Sequence, residues 1–221
     1  MNAVAIVPAL DAILKHPGVW RRSASTQQHV RALPTGLDEL DALLPGGGWP
    51  CGALSEILFE YDGLGELALL MPALADLTRR RQRVVFVAPP YIPYAPALAA
   101  HGLDLSYVVQ IESNPIESHT NESGTAEGAW SAEQCLRSGS CGAVLSWLPQ
   151  ADYTQLRRLQ LAAESGDALA FLFRPAQAAG KSSPAALRLQ LHTEGSQVDI
   201  EILKCRGNLD WHRPTRLRCR A

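Results

Sequence analysis

Leu54-Ser55-Glu56-Ile57-Leu58-Phe59-Glu60-Tyr61-Asp62-Gly63-Leu64-Gly65-Glu66-Leu67 is the stretch on which the architecture turns. Residues 54–59 are a short, mainly apolar run bounded by turn residues, which predicts a buried strand. Gly63 and Gly65 predict a loop, and residues 66–81 follow with helical spacing. Strand, glycine loop and helix in that order open a parallel α/β unit. The alternation continues with strands at 84–88, 108–112, 143–148 and 168–173. Helices are predicted between them at 95–100, 129–136 and 153–165. Residues 84–88 are apolar throughout, as a strand covered on both faces must be. The expected fold is α/β, with a mainly parallel central sheet, flanking helices and right-handed crossovers. Two late strands, 186–193 and 197–204, are joined by Glu194-Gly195-Ser196 and read as a β-hairpin.

On the N-terminal side of the decisive stretch, residues 36–44 place Leu37, Leu40, Leu43 and Leu44 on one side of a short helix. Gly46-Gly47-Gly48 and Pro50 predict a tight turn. Residues 4–14 form an amphipathic pattern with Ile6, Leu10 and Leu14, stopped by Pro17-Gly18. Residues 23–28 are a polar connector. Residues 113–128 are rich in Ser, Asn, Glu and Gly and are expected to form a mobile loop. The chain thus divides into an N-terminal helix and arm (1–32), an α/β core (33–203) and a basic C-terminal tail (204–221).

The composition is that of an ordinary globular chain: 221 residues, 47% hydrophobic and 19% charged. That length can bury about 70% of the unfolded surface without a disulfide or metal staple. The five cysteines include no Cys-x-x-Cys pair, which suits reduced thiols in the cytoplasm. No run reaches the length of a membrane-spanning helix, and Asp11 interrupts the only apolar stretch near the start. Neither a membrane partner nor a bound cofactor or metal is expected. The six histidines are scattered, with no metal-ligand spacing. The formal net charge is −2, yet Lys204, Arg206, Arg213, Arg216, Arg218 and Arg220 crowd the C-terminus against Asp210 alone.

The glycine loop lies where a phosphate-binding loop would sit. The working motif, Gly-x-x-x-x-Gly-Lys-Ser/Thr, uses backbone amides, a lysine and a magnesium-bound hydroxyl. With Gly65 as its second glycine, Glu60 replaces the first, Glu66 the lysine and Leu67 the hydroxyl residue. A carboxylate about 4 Å from a phosphate charge costs about 4 kcal/mol at an effective dielectric near 20. An acid is instead at home near the start of a helix, so Glu66 is expected to cap the one that follows. The strand at 143–148 offers Ser146 and Trp147 where a magnesium-binding acid would stand. Nucleotide hydrolysis is therefore not expected, and no catalytic residue is assigned.

Leu33-Pro34-Thr35-Gly36-Leu37-Asp38-Glu39-Leu40-Asp41 followed by Pro45-Gly46-Gly47-Gly48-Trp49-Pro50-Cys51-Gly52 resembles the segment leading into the RecA recombinase core. Against those recombinases, Pro89-Pro90-Tyr91 stands where a catalytic acid follows the strand. Residues 62–67, 138–147 and Phe171-Leu172-Phe173-Arg174-Pro175 resemble the SulA group of SOS proteins. The combination, with 183–187 and 202–207, is similar to the ImuA family, accessories of error-prone translesion DNA synthesis. That resemblance implies a non-catalytic bridge between RecA, an inactive Y-family polymerase relative (ImuB) and a DnaE-type polymerase. The alternative it leaves is a SulA-type division inhibitor that binds FtsZ.

Partner contacts are expected at Trp20, a large apolar anchor after the first helix, and along the basic segment. In that segment Lys204, Arg206, Trp211, Arg213, Arg216, Arg218 and Arg220 fit a protein partner first. DNA would be a weak, salt-sensitive second.

Overall fold

A computed structural model describes residues 31–112, 122–194, 197–207 and 215–219. The expected N-terminal helix, the connector and Trp20 lie outside the described residues, as do Trp211, Arg213 and Arg220. A two-stranded antiparallel ribbon, β1 (Ala32–Leu33) with β2 (Trp49–Pro50), leads in and brackets α1 (Asp38–Asp41). The main sheet comprises β3 (Ala53–Phe59), β4 (Arg83–Val87), β5 (Val108–Ile111), β6 (Cys141–Trp147), β7 (Leu169–Pro175), β8 (Leu187–Glu194), β9 (Gln197–Cys205) and β10 (Thr215–Cys219). Their spatial order is β10-β9-β8-β3-β7-β6-β4-β5. From β8 to β5 the neighbours are parallel, and β8-β9-β10 is an antiparallel extension. The helices are α2 (Met71–Arg79), α3 (Ala95–Ala100), α4 (Glu122–Arg137) and α5 (Tyr153–Gly166).

Alternation along the strands sorts the core into two layers. Ile57, Phe59, Leu169, Phe171 and Phe173 face one side, with the leucines of α2 and with Trp49. Leu54, Ala170 and Leu172 face the other, against the alanines of α4 and α5. Small residues on that second face let both helices approach the sheet closely. Asp152 fixes the start of α5 with a capping box: its Oδ1 accepts the Gln155 N–H at 2.8 Å, and Gln155 Oε1 accepts the Asp152 N–H at 2.9 Å. From the same helix, Gln160 Oε1 accepts the Leu54 N–H at 3.0 Å and so pins the start of β3.

The parallel sheet, the flanking helices and the late hairpin agree with the sequence reading, but four local features differ. The helix expected over 66–81 begins later, with a 3-10 turn at Ala68–Leu70 and α-helix only from Met71. Pro72 explains the start, because proline belongs in a first turn. The helix expected over 36–44 is reduced to α1, flanked by turns. Of the expected mobile loop 113–128, residues 122–128 are the first two turns of α4, and 113–121 lie outside the described residues. The basic segment is not wholly a tail: β9 runs through Lys204 to Cys205, and Thr215–Cys219 forms the edge strand β10.

Candidate functional site

The parallel strands end together at one edge of the sheet, the edge where α/β proteins place ligands. The loop after β3 reaches that edge. Gly63 and Gly65 both adopt φ of 88°, a conformation that side chains other than glycine strain to reach. Between them Leu64 turns into the core. The doubled turn brings Glu66 back over the loop, where its Oε1 accepts the Gly63 N–H at 3.2 Å. Glu66 is buried, and its Oε2 has no hydrogen-bond partner among the described residues. The carboxylate therefore occupies a backbone amide that a phosphate would need. It does not cap α2, contrary to the sequence expectation, because that helix starts five residues later. Leu67 packs on the core, while Glu60 is exposed at the rim.

Ser146 and Trp147, expected where a magnesium-binding acid would stand, are built into the packing of the sheet. Ser146 is buried, and its Oγ donates to the Phe171 carbonyl at 3.1 Å, tying β6 to β7. Trp147 is sandwiched between Phe173, with centroids 4.4 Å apart, and Phe86, at 6.0 Å. Near-parallel aromatic rings of this kind contribute about 0.5–1.5 kcal/mol per pair beyond their buried area.

Glu60, Tyr61, Asp62, Pro90, Trp147 and Arg174 help line a groove of about 230 Å³ at this edge. Tyr61 is 57% exposed on one lip. Beyond the other lip, the loop after β4 projects Tyr91 (71% exposed), Ile92 (81%) and Tyr94 (72%). A non-glycine left-handed residue, Ala88 with φ of 50°, turns the chain out into that loop. So many large apolar side chains on one short loop form a patch of the type used to bind proteins.

Beneath the groove lies a charge cluster that sequence reasoning missed. Glu56, in the middle of β3, is fully buried. Its Oε1 accepts from Arg174 Nη1 at 3.0 Å and its Oε2 from Arg188 Nε at 2.5 Å. Arg174 Nη2 also donates to the Ala151 carbonyl at 2.8 Å. Arg188 donates to the Ala178 and Ala179 carbonyls at 2.8 and 3.2 Å. Both guanidiniums are buried, so one carboxylate balances two cations. Arg174 is thereby engaged from below and is not a free anion receptor. The available signal was a lone acid inside an apolar strand and an arginine ending another.

The remaining basic candidates do not join this edge. Lys204 Nζ donates to the Ser183 carbonyl at 2.8 Å, and burial lowers its pKa from the ordinary lysine value. Arg206 is exposed, 3.8 Å from Glu164. Lys204 is paired with Arg188 near the start of β8, and Arg206 follows the end of β9, both toward the opposite end of the sheet. In β10, Arg216 stands in register with Glu201 and Arg218 with Asp199. Among the described residues no helix is long and apolar enough to cross a membrane.

The family model described as Cell division inhibitor SulA matches residues 52–170, more than half of the chain. The cell division inhibitor SulA of Yersinia pestis (strain Pestoides F) is 28% identical over 143 residues, 64% of this chain and 79% of the relative. The SulA of Yersinia pseudotuberculosis serotype O:1b (strain IP 31758) gives the same figures. The family-model match takes in the closed glycine loop, Trp147 and the exposed loop after β4. It leaves out the β1–β2 ribbon and everything from Phe171 onward.

Proposed function

The chain belongs to the SulA family, and on that footing we propose that it is a non-enzymatic SOS-response protein acting through a protein partner. The partner docks on the C-terminal edge of the parallel sheet. One observation carries this reading: the place of a nucleotide is closed by Glu66 and the Trp147 stack, and the adjoining loop exposes Tyr91, Ile92 and Tyr94. The names of the relatives support division inhibition, and on that reading the partner is FtsZ. A second reading, an accessory of translesion synthesis that contacts RecA, an ImuB-like protein and a DnaE-type polymerase, is favoured by a specific feature. The RecA-like lead-in is folded into the core, with Trp49 fully buried, although it precedes the family-model match. DNA is a secondary contact in either case.

A side-by-side pull-down with FtsZ, RecA and an ImuB-like protein separates the two readings. Capture of FtsZ alone supports the first, and capture of ImuB or RecA without FtsZ supports the second. Ile92→Asp tests the surface itself. Because Ile92 is 81% exposed, thermal stability should stay put while partner affinity falls by about tenfold or more, as expected at an interface hot spot. Unchanged capture by this variant would move the docking surface elsewhere.

The same reading leaves no role for ATP. Titration calorimetry with ATP and magnesium should register no binding in the micromolar range. Such affinity needs about −8 kcal/mol, and the loop offers a carboxylate where a lysine would supply much of it. A micromolar dissociation constant would overturn the non-enzymatic assignment.

A further inference from the structure

At the end of the sheet opposite the groove, Arg79-Arg80-Arg81-Gln82-Arg83 places four arginines in five residues. The run joins the last turn of α2 to the start of β4. Two backbone hydrogen bonds close it: the Gln82 N–H donates to the Leu77 carbonyl at 3.0 Å, and the Arg81 N–H to the Thr78 carbonyl at 2.9 Å. That pair is a common helix ending, and it leaves one residue left-handed, ordinarily a glycine. Arg81 holds the position instead, with φ of 61°. A long cationic side chain is thus kept where the backbone would be more at ease without one. Residues held in such conformations gather at functional positions.

All four arginines are exposed. Arg79 and Arg80 share Asp76, at 3.4 and 2.6 Å. Arg81 and Arg83 have no carboxylate partner among the described residues. The basic strip continues across the end of the sheet. Arg83 stands in register with Cys141 at the start of β6, and the register slips by one residue just after it. Gly142 is the residue left over, and a Cβ there would lie 2.8 Å from Gln82 Cβ. So close an approach sets the arginine turn against Ser138-Gly139-Ser140, all three exposed. Arg137, at the end of α4, flanks that turn and shares Glu133 with Arg158 of α5, at 3.0 and 2.5 Å. Six arginines therefore meet three carboxylates: Asp76, Glu133 and Asp104, whose N–H donates to Thr78 Oγ1 at 3.1 Å. The groove end has the opposite sign, with Glu60, Asp62 and Glu66 on one loop.

We infer that this strip is a docking surface for the phosphate backbone of a nucleic acid. Guanidiniums, serine hydroxyls and a side-chain amide are the donors that reach phosphate oxygens. A protein partner needs an apolar or aromatic anchor at the centre of its footprint. None of the exposed large apolar side chains falls within 79–83 or 137–141. Phosphate contacts carry no base readout, so binding is independent of sequence and falls steeply with salt. The surface is separate from the basic segment near the C-terminus. Strand β10 lies six strand spacings from β4, roughly 30 Å at about 4.8 Å each. It is also at the other end of the strands from the groove, so a nucleic acid and a protein partner can be held at once.

The test titrates fluorescein-labelled DNA of mixed sequence, duplex or single-stranded, with the full chain and reads anisotropy. Saturable binding of both forms is expected. Four phosphate contacts would weaken it about a hundredfold between roughly 50 and 200 mM salt. Arg81→Gly combined with Arg83→Gln should lower the salt slope by about two and the affinity about tenfold or more. Its melting temperature should not fall, because glycine suits the left-handed position and no ion pair is lost. Should the double variant melt early, Arg83→Gln alone carries the comparison, with a slope lower by about one. Arg216→Gln with Arg218→Gln, on β10, should leave affinity within about twofold, since distant sites act independently. The inference is overturned if DNA fails to saturate at the low-salt end, if the arginine-turn variants bind like wild type, or if the β10 variant loses as much. Displacement of DNA by polyglutamate at equal charge concentration would assign the strip to an acidic protein and overturn it. Capture on phosphatidylserine vesicles without DNA binding would overturn it as well, in favour of a lipid surface. None of these readouts involves the partner at the groove end, so that assignment stands or falls separately.

Discussion

Replacement of Glu56 by glutamine is expected to destabilise the protein by about 3–5 kcal/mol, the usual cost of leaving a buried charge without its counter-ion. The substitution keeps the size of the side chain and one acceptor oxygen. Among the described residues it removes the one negative charge paired with Arg174 and Arg188, which are buried to 2% and 7% exposure. For a chain of this size that loss lowers the melting temperature by roughly 10 °C or more. Set against a typical total stability of about 5–15 kcal/mol, it is a large fraction. Replacing all three charges together, Glu56→Leu with Arg174→Met and Arg188→Met, should recover part of the loss, because no cation is then stranded. Recovery stays incomplete, since the Ala151 and Ala178 carbonyls lose their donors. Thermal melts of the single and triple variants check both statements. An unmoved midpoint in Glu56→Gln would show that the cluster is not a buried ion network in solution.

Trp49→Ala is expected to cost a similar amount, about 3–5 kcal/mol, as for other large aromatic residues removed from a core. Trp49 has no exposed surface and meets Phe171 edge-on, with ring centroids 5.1 Å apart. It is the plug that fastens the β1–β2 ribbon to the sheet. Trp49→Phe should lose less than half as much. The indole N–H is buried without an acceptor among the described residues, and phenylalanine removes a desolvation penalty of about 1–3 kcal/mol along with some packing. Urea denaturation with a shared slope measures the two differences. Equal losses for Ala and Phe would show that the indole nitrogen is satisfied.

What was legible in the sequence followed from period and composition. Residues 84–88, 143–148 and 168–173 are too apolar to lie anywhere but inside a parallel sheet, and Gly195 marked the hairpin. The residues of the glycine loop read as unsuited to phosphate, but its geometry was not legible from them. A helix was drawn from Glu66 because acids favour helix starts, whereas Pro72 and the paired positive-φ glycines set the start at Met71. The beginning of α4 was hidden by Gly124, Gly128 and Ser123, weak helix formers. Yet a Cβ on Gly128 would lie 2.8 Å from Leu148, so the glycine allows α4 to sit close to its neighbour. Strand β10 was taken for tail because its arginines dominate the eye, although Thr215-Arg216-Leu217-Arg218-Cys219 alternates with the period of a strand and Leu217 packs on the core. The Glu56 cluster needed the order of the strands. Only when β7 and β8 flank β3 do two arginines distant in the chain meet one carboxylate.

That order has a consequence during synthesis. Strand β3 leaves the ribosome early, but its sheet neighbours, Leu169–Pro175 and Leu187–Glu194, follow more than a hundred residues later. At about 5–20 residues per second, the central strand waits on the order of ten seconds for either neighbour. An unpaired apolar segment of this type is an aggregation hazard, and a charge within it is the usual safeguard. Glu56 supplies that charge while Ser55-Glu56-Ile57-Leu58-Phe59 is still solvated on the nascent chain, and surrenders its exposure only when Arg174 and Arg188 emerge to meet it.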